Sequence, residues 1–194
     1  MADDAARARW NEAYRLAEPG QGEPAQVLKE NAHLLPPHGT ALDFASGIGN
    51  NAVFLARHGL STEAWDISDL AAEKISQYGV ATRLPLLGFA RDVASSPPDP
   101  QSFDVICVAH YLERSLANPL TSALRPGGLL FYQTFTLEVT ADYNGPKNPA
   151  FRLAPNELLS LFKGMRIIFY RENALLGNVG EGTRNLAMLV AQAT

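Results

Sequence analysis

The sequence predicts an α/β protein built on a doubly wound, mostly parallel sheet of seven strands with an antiparallel last pair. Three observations carry that prediction. Short apolar runs alternate with helical periodicity along most of the chain, the first run opens onto the glycine turn Gly47-Ile48-Gly49, and the last two runs have no helical pattern between them. With 194 residues, 46% hydrophobic and 19% charged, the chain is long enough to bury one substantial core without a disulfide or metal.

Taken in order, Ala5 to Leu16 reads as a helix with Ala6, Trp10 and Tyr14 on one face, broken by Gly20 and Gly22. Ala25 to Leu35 reads as a second helix, stopped by Pro36 and Pro37. Residues 1–36 are therefore expected to form a helical cap belonging to the same domain as residues 37–194. Thr40 to Ala45 is a buried strand and Asn50 to His58 a helix stopped by Gly59. Thr62 to Asp66 is the second strand, and Ser68 caps a helix from Asp69 to Gln77. Tyr78 to Leu87 shows no clear pattern. Phe89 to Val93 is expected as the third strand, Phe103 to Ala109 as the fourth, and Leu129 to Phe135 as the fifth. A short helix with Pro119 in its first turn joins the last two. Pro155 to Lys163 is helical, and Met165 to Arg171 and Asn185 to Gln192 are late strands. Their connection is too unhelical for a crossover, which makes that pair antiparallel.

Charge and composition exclude several classes of partner. The net charge is −4 and the 16 Lys and Arg are scattered, which argues against a nucleic-acid or anionic-membrane surface. The single cysteine, Cys107, cannot form an internal disulfide and fits a reducing compartment. The N-terminus lacks an apolar signal core, and no apolar run approaches the ~18 residues of a membrane span, so a cytoplasmic location is expected. The four histidines have no metal-ligand spacing. The pattern carries no signature of an oligomeric state.

Gly47-Ile48-Gly49-Asn50-Asn51-Ala52 fits G-x-G-x-x-G/A between a strand and a helix, a turn that brings backbone N–H groups close to a ligand. Asp66 ends the second strand about 20 residues later, where an acid takes both hydroxyls of a ribose. Asp43, at the end of the first strand, is expected in the same crevice. Its charge would repel a pyrophosphate and attract a cation. Asp92 is placed to accept from an adenine amino group. Three acids at three strand ends favour a cationic adenosyl ligand over a nicotinamide dinucleotide, and a nicotinamide oxidoreductase stands as the alternative.

These segments carry a resemblance. Ala41-Leu42-Asp43-Phe44-Ala45-Ser46-Gly47-Ile48-Gly49 resembles the first motif of class I S-adenosylmethionine-dependent methyltransferases. Trp65-Asp66-Ile67-Ser68 resembles their second motif, Arg91-Asp92-Val93 their adenine-contacting acid, and Leu124-Arg125-Pro126-Gly127-Gly128-Leu129-Leu130 their turn into the fifth strand. The N-terminal Trp10-Asn11-Glu12-Ala13-Tyr14 is similar to the tellurite-resistance and thiopurine branch, in which an N-terminal segment folds over the cofactor. The resemblance implies a Rossmann-like methyltransferase fold with S-adenosyl-L-methionine as cofactor. It places Asp43, Gly47 and Gly49 at the methionyl part, Asp66 at the ribose, Ile67 and Val93 at the adenine faces, and Asp92 at its amino group, with Trp10 and Tyr14 as cover. Ala45 departs from the motif, where glycine is usual. A methyl group is compatible with that position while φ stays negative, although it crowds the methionine end.

The acceptor site is expected beyond the strand ends as well. His110 and Tyr111 follow the fourth strand, with His110 either a general base or a packed side chain. The long, turn-rich segment Thr136 to Ala154 reads as a lid containing Tyr143, Lys147 and Arg152. The cations Arg114, Lys147 and Arg152 suggest a small neutral or anionic acceptor such as a thiol or a chalcogen oxyanion. A non-catalytic S-adenosylmethionine-binding module is the further alternative.

Overall fold

The computed structural model describes residues 2–194. Its helices are α1 (Ala2–Ala13), α2 (Gln26–Glu30), α3 (Asn50–Arg57), α4 (Asp69–Thr82), α5 (Ala117–Ala123) and α6 (Glu157–Leu161). Its strands are β1 (Thr40–Phe44), β2 (Ser61–Asp66), β3 (Leu86–Ala90), β4 (Phe103–Ala109), β5 (Leu124–Phe135), β6 (Arg166–Glu172) and β7 (Leu186–Gln192). They form one seven-stranded sheet in the order β3-β2-β1-β4-β5-β7-β6. The first five strands are parallel, and β7 runs antiparallel between β5 and β6. The doubly wound sheet with an antiparallel last pair is thus the observed architecture.

Alternation along the central strands sends side chains into two cores, one on each face. In β4, Ile106 and Val108 join Leu42, Phe44, Leu130 and Leu189 on one face, under Leu120 of α5 and Leu158 of α6. Val105 and Cys107 join Ala41, Phe131 and Val190 on the other, under Val27 and Leu28 of α2 and Leu55 of α3. Both faces are covered, so the strands read as continuous apolar runs. Cys107 is fully buried and packs as a small apolar side chain.

Several boundaries differ from expectation. Helix α4 continues through Tyr78 to Thr82, and β3 begins at Leu86 instead of Phe89. Asp92 and Val93 accordingly lie past the strand end. The third strand is at the sheet edge with Leu87 and Phe89 exposed, so burial imposes little alternation there. Helix α2 stops at Glu30, where the Asn31 side-chain amide donates to the Val27 carbonyl, and the chain continues as a short 3₁₀ turn. Helix α1 ends at Ala13, so Tyr14 lies just beyond it.

The N-terminal segment is fastened at several points. The Lys74 ammonium of α4 donates to the carbonyls of Arg15 (3.0 Å) and Ala17 (2.7 Å) and to the Glu18 carboxylate (3.0 Å). Those carbonyls follow the end of α1, where a cation is favoured. Ser68 donates to the Asn11 side-chain oxygen at 2.6 Å. The side-chain oxygen of Asn50 accepts from the N–H groups of Gly20 and Gly22. Asn51 does the same for Ala25, and Gln133 of β5 for Val27. Among the described residues, no helix is long and apolar enough to cross a membrane.

Candidate functional site

In a doubly wound sheet the crevice opens where successive crossovers go to opposite faces, here between β1 and β4. A cavity of about 560 Å³ lies at that point, beyond the C-terminal ends of the strands. Its floor comes from the turn after β1, its sides from the residues that follow β2, β3 and β4. Its roof is Trp10 and Tyr14 with the segment Glu23 to Gln26.

The turn after β1 is built on three left-handed residues, Ala45 (φ 56), Gly47 (φ 55) and Gly49 (φ 80). Ala45 therefore does not keep the negative φ that would suit its methyl group. The tight reversal at the strand end requires the left-handed conformation whether or not a Cβ is present. At Gly47 a Cβ would lie 3.0 Å from the Tyr14 hydroxyl, so the absence of a side chain lets Tyr14 close over the turn. The Gly47 N–H donates to Asp66 Oδ2 at 2.8 Å, and the Ser68 N–H to Oδ1 at 3.0 Å. Asp66 lines the cavity while only 7% exposed. Burial raises its pKa, partly offset by these two hydrogen bonds to the charged form.

Asp43 is not in the crevice. Leu42 and Phe44 project to one face of β1, and Asp43 projects to the other, beneath the start of α3. It is fully buried, accepting from the Ala52 N–H at 3.0 Å and from the Asn51 amide at 3.3 Å. The N-cap of α3 is Gly49, which has no side chain to offer, so Asp43 supplies the missing acceptor from the neighbouring strand. Burial outweighs the two hydrogen bonds and pushes its pKa up to about 8. Gly49 is likewise a packing residue and does not line the cavity. A Cβ there would meet Ile75 Cδ1 at 2.8 Å, and its absence lets α3 settle against α4.

Asp92, Val93, Ile67, His110 and Tyr111 all line the cavity, as do Trp10 and Tyr14. Trp10 stacks on Tyr14 with ring centroids 5.5 Å apart and stays 38% exposed, so it is not a core residue. Burial, with the nearby carboxylates of Asp66 and Asp43, raises the Tyr14 pKa. His110 is open to the cavity, and the surrounding protein depresses its pKa by desolvation. Burial raises the Tyr111 pKa in turn, which keeps that phenol protonated.

The expected acceptor cations lie elsewhere. Arg114 binds Glu157 through both carboxylate oxygens (2.5 and 3.1 Å) and donates to the carbonyls of Ala150 and Arg152. It fastens the segment before α6. Arg152 donates to the Lys147 carbonyl and lies over the Tyr143 ring at 5.7 Å. Tyr143 reaches the site only indirectly, through Phe135, whose ring lies 5.9 Å from it and 5.1 Å from His110. None of Arg114, Tyr143, Lys147 and Arg152 lines the cavity. Arg114, Tyr143 and Arg152 instead bind carbonyls or a carboxylate of the chain itself, away from the crevice.

Sequence reasoning missed Gln133, Asn50, Asn51, Glu23 and Gln26, all of which line the cavity. A signal was present for three of the positions. Gln133 is a lone amide in an apolar strand, and paired asparagines open a helix. The lining residues include the carboxylates Glu23, Asp66 and Asp92 and no Lys or Arg.

A glycine turn, an acid at the end of β2 and a crevice at the strand-order switch define an α/β protein that binds a nucleoside-type ligand. The chain matches the methyltransferase domain family over residues 16–168, well over half its length. It belongs to that family and is a class I S-adenosylmethionine-dependent methyltransferase. The fold is similar to TehB from Haemophilus influenzae, at 18% identity and TM-score 0.71, covering 97% of this chain and 67% of that one. It also resembles an S-adenosylmethionine-dependent methyltransferase from Mesorhizobium loti (18% identity, TM-score 0.65, covering 87% and 98%). One from Aquifex aeolicus has 14% identity and TM-score 0.69, covering 95% of this chain and 98% of that one. No curated protein matches the chain. The cofactor is S-adenosylmethionine, and the acidic lining, which includes no Lys or Arg, suits its positive charges.

Proposed function

We propose that the protein methylates a small uncharged acceptor, with residues 1–36 serving as a cap within the same domain. The observation that carries this reading is the cavity lining, which has three carboxylates and no cationic side chain to hold an anion. The acids that favour a cationic ligand are Glu23, Asp66 and Asp92, not Asp43. In this reading Asp66 accepts from the ribose hydroxyls, Ile67 and Val93 flank the adenine, and Asp92 accepts from its amino group. Ala45 and Gly47 lie along the methionyl part, and Trp10 and Tyr14 exclude water from above.

S-adenosylmethionine supplies an activated methyl group on a sulfonium sulfur. The chain's own contribution is alignment of the acceptor with that bond and exclusion of water. Gln26, His110, Tyr111 and Gln133 line the remainder of the cavity and supply polar contacts for an acceptor without net charge.

Asp66→Ala tests the cofactor half. A charge-assisted hydrogen bond contributes about 1.5–3 kcal/mol, so calorimetry with S-adenosylhomocysteine should show at least a tenfold weaker affinity. Unchanged affinity would place the ribose elsewhere. A panel of neutral thiols, phenols and aromatic amines beside their carboxylated analogues, assayed for S-adenosylhomocysteine release, tests the acceptor half. Preferential turnover of the carboxylated compounds would overturn it.

A further inference from the structure

Gln133 and His110 sit side by side on the cavity wall, at the ends of adjacent strands. The His110 N–H donates to the Gln133 carbonyl at 2.8 Å, which fixes the two backbones against each other. Gln133 is almost fully buried, and its side-chain oxygen accepts from the Val27 backbone N–H at 2.9 Å. A backbone N–H can only donate, so the amide has one possible orientation and its other end is an NH₂ group. That NH₂ faces His110 Nε2 at 3.4 Å. A donor-only group facing a ring nitrogen requires that nitrogen to carry the lone pair. The contact is long and contributes little energy, yet the alternative sets two N–H groups head-on beside a buried amide.

From this geometry we infer that Gln133 is a positioning residue that holds His110 as the neutral Nδ1–H tautomer. His110 then meets the acceptor as a hydrogen-bond donor and does not serve as a base through Nε2. The inference rests on the proposed methyl-acceptor reading only for the identity of the ligand, not for the tautomer. It narrows that reading to uncharged acceptors presenting a lone pair, such as a carbonyl, thione or imine nitrogen, to the Nδ1 side. Among the described residues Nδ1 has no protein partner, which leaves its N–H for a ligand. The titratable side chains that share the cavity are Tyr14 from the end of α1, Glu23 before α2, Asp66 after β2, Asp92 after β3 and Tyr111 beside His110. Desolvation of the ring, the one cause of its lowered pKa, works in the same direction by disfavouring the cation.

The test is imidazole ¹⁵N–¹H correlation spectroscopy on the full chain, with the His110 signals assigned from their loss in His110→Asn. Wild type should show a protonated Nδ1 and an unprotonated Nε2 at neutral pH. Gln133→Glu, which turns the facing group into an acceptor, should move the proton to Nε2 and raise the His110 titration midpoint. Gln133→Met should give a mixture of tautomers. An Nε2–H tautomer in wild type, or variants with unchanged ring signals, would overturn the inference. Neither readout requires methyl transfer, so a failed cofactor or acceptor assay would be distinguishable from a failure here. The wild-type spectrum decides the matter even if a variant does not fold.

Discussion

Ala45 holds a left-handed backbone at a position where only glycine is free of a steric penalty. That conformation costs an L-residue about 1–2 kcal/mol, and the greater freedom of an unfolded glycine takes back about 0.4–1. Ala45→Gly should therefore stabilise the protein by about 1 kcal/mol, read as a higher urea midpoint at constant slope. Asp43 allows a prediction in pH. Its folded pKa is raised from 3.8 to about 8, so between those values the folded chain keeps a proton that the unfolded chain releases. Stability is highest below that window, falls as pH rises through it, and levels off above. Asp43→Asn, which does not titrate, should give a flatter curve when urea midpoints are compared from about pH 5 to 8. At this scale the sequence placed Asp66, Ile67, Asp92 and Val93 in the crevice, because residues at strand ends inherit their position from topology. It misplaced Asp43, because the face on which a strand residue projects depends on the helix packed there.

Arg114 clamps the C-terminal part of the connection from β5 to α6. Arg114 contributes both of its bonds to Glu157 and two to backbone carbonyls, tying the 3₁₀ turn Pro149–Phe151 to the start of α5's own 3₁₀ lead-in. The pair is partly exposed, so its net contribution is on the order of 1 kcal/mol. Arg114→Ala should raise amide hydrogen exchange across residues 149–157 and leave cofactor affinity nearly unchanged, because the clamp does not line the cavity. A loss of cofactor affinity equal to that of Asp66→Ala would show the clamp to be part of the site. The N-terminal cap follows the same logic. Its helix was legible from the spacing of Trp10 and Tyr14, but the groups that fasten it, Lys74, Asn50, Asn51 and Gln133, are scattered through the chain. Such long-range partners leave no periodic trace.

For the molecule as a whole, cofactor binding and folding are linked through the roof. The roof is held by Ala25 and Val27, at the start of α2, bonded to Asn51 and Gln133, and by the chain after α1 bonded to Lys74. S-adenosylhomocysteine at 100 times its dissociation constant should stabilise the folded state by about 2.7 kcal/mol. A thermal shift measured with it, and absent with NAD, checks both the linkage and the ligand class. By itself the sequence determined the sheet, its parallel and antiparallel parts, the glycine turn and the acids at the strand ends. Those features are written in local periodicity, turn chemistry and connection length. Only the tertiary structure decided which carboxylates face the ligand, that Arg114 is spent on Glu157 and the chain's own carbonyls, and that Gln133 faces His110. Each of these depends on a partner distant in sequence, and the choice among partners is made by packing and by the need to satisfy every buried polar group.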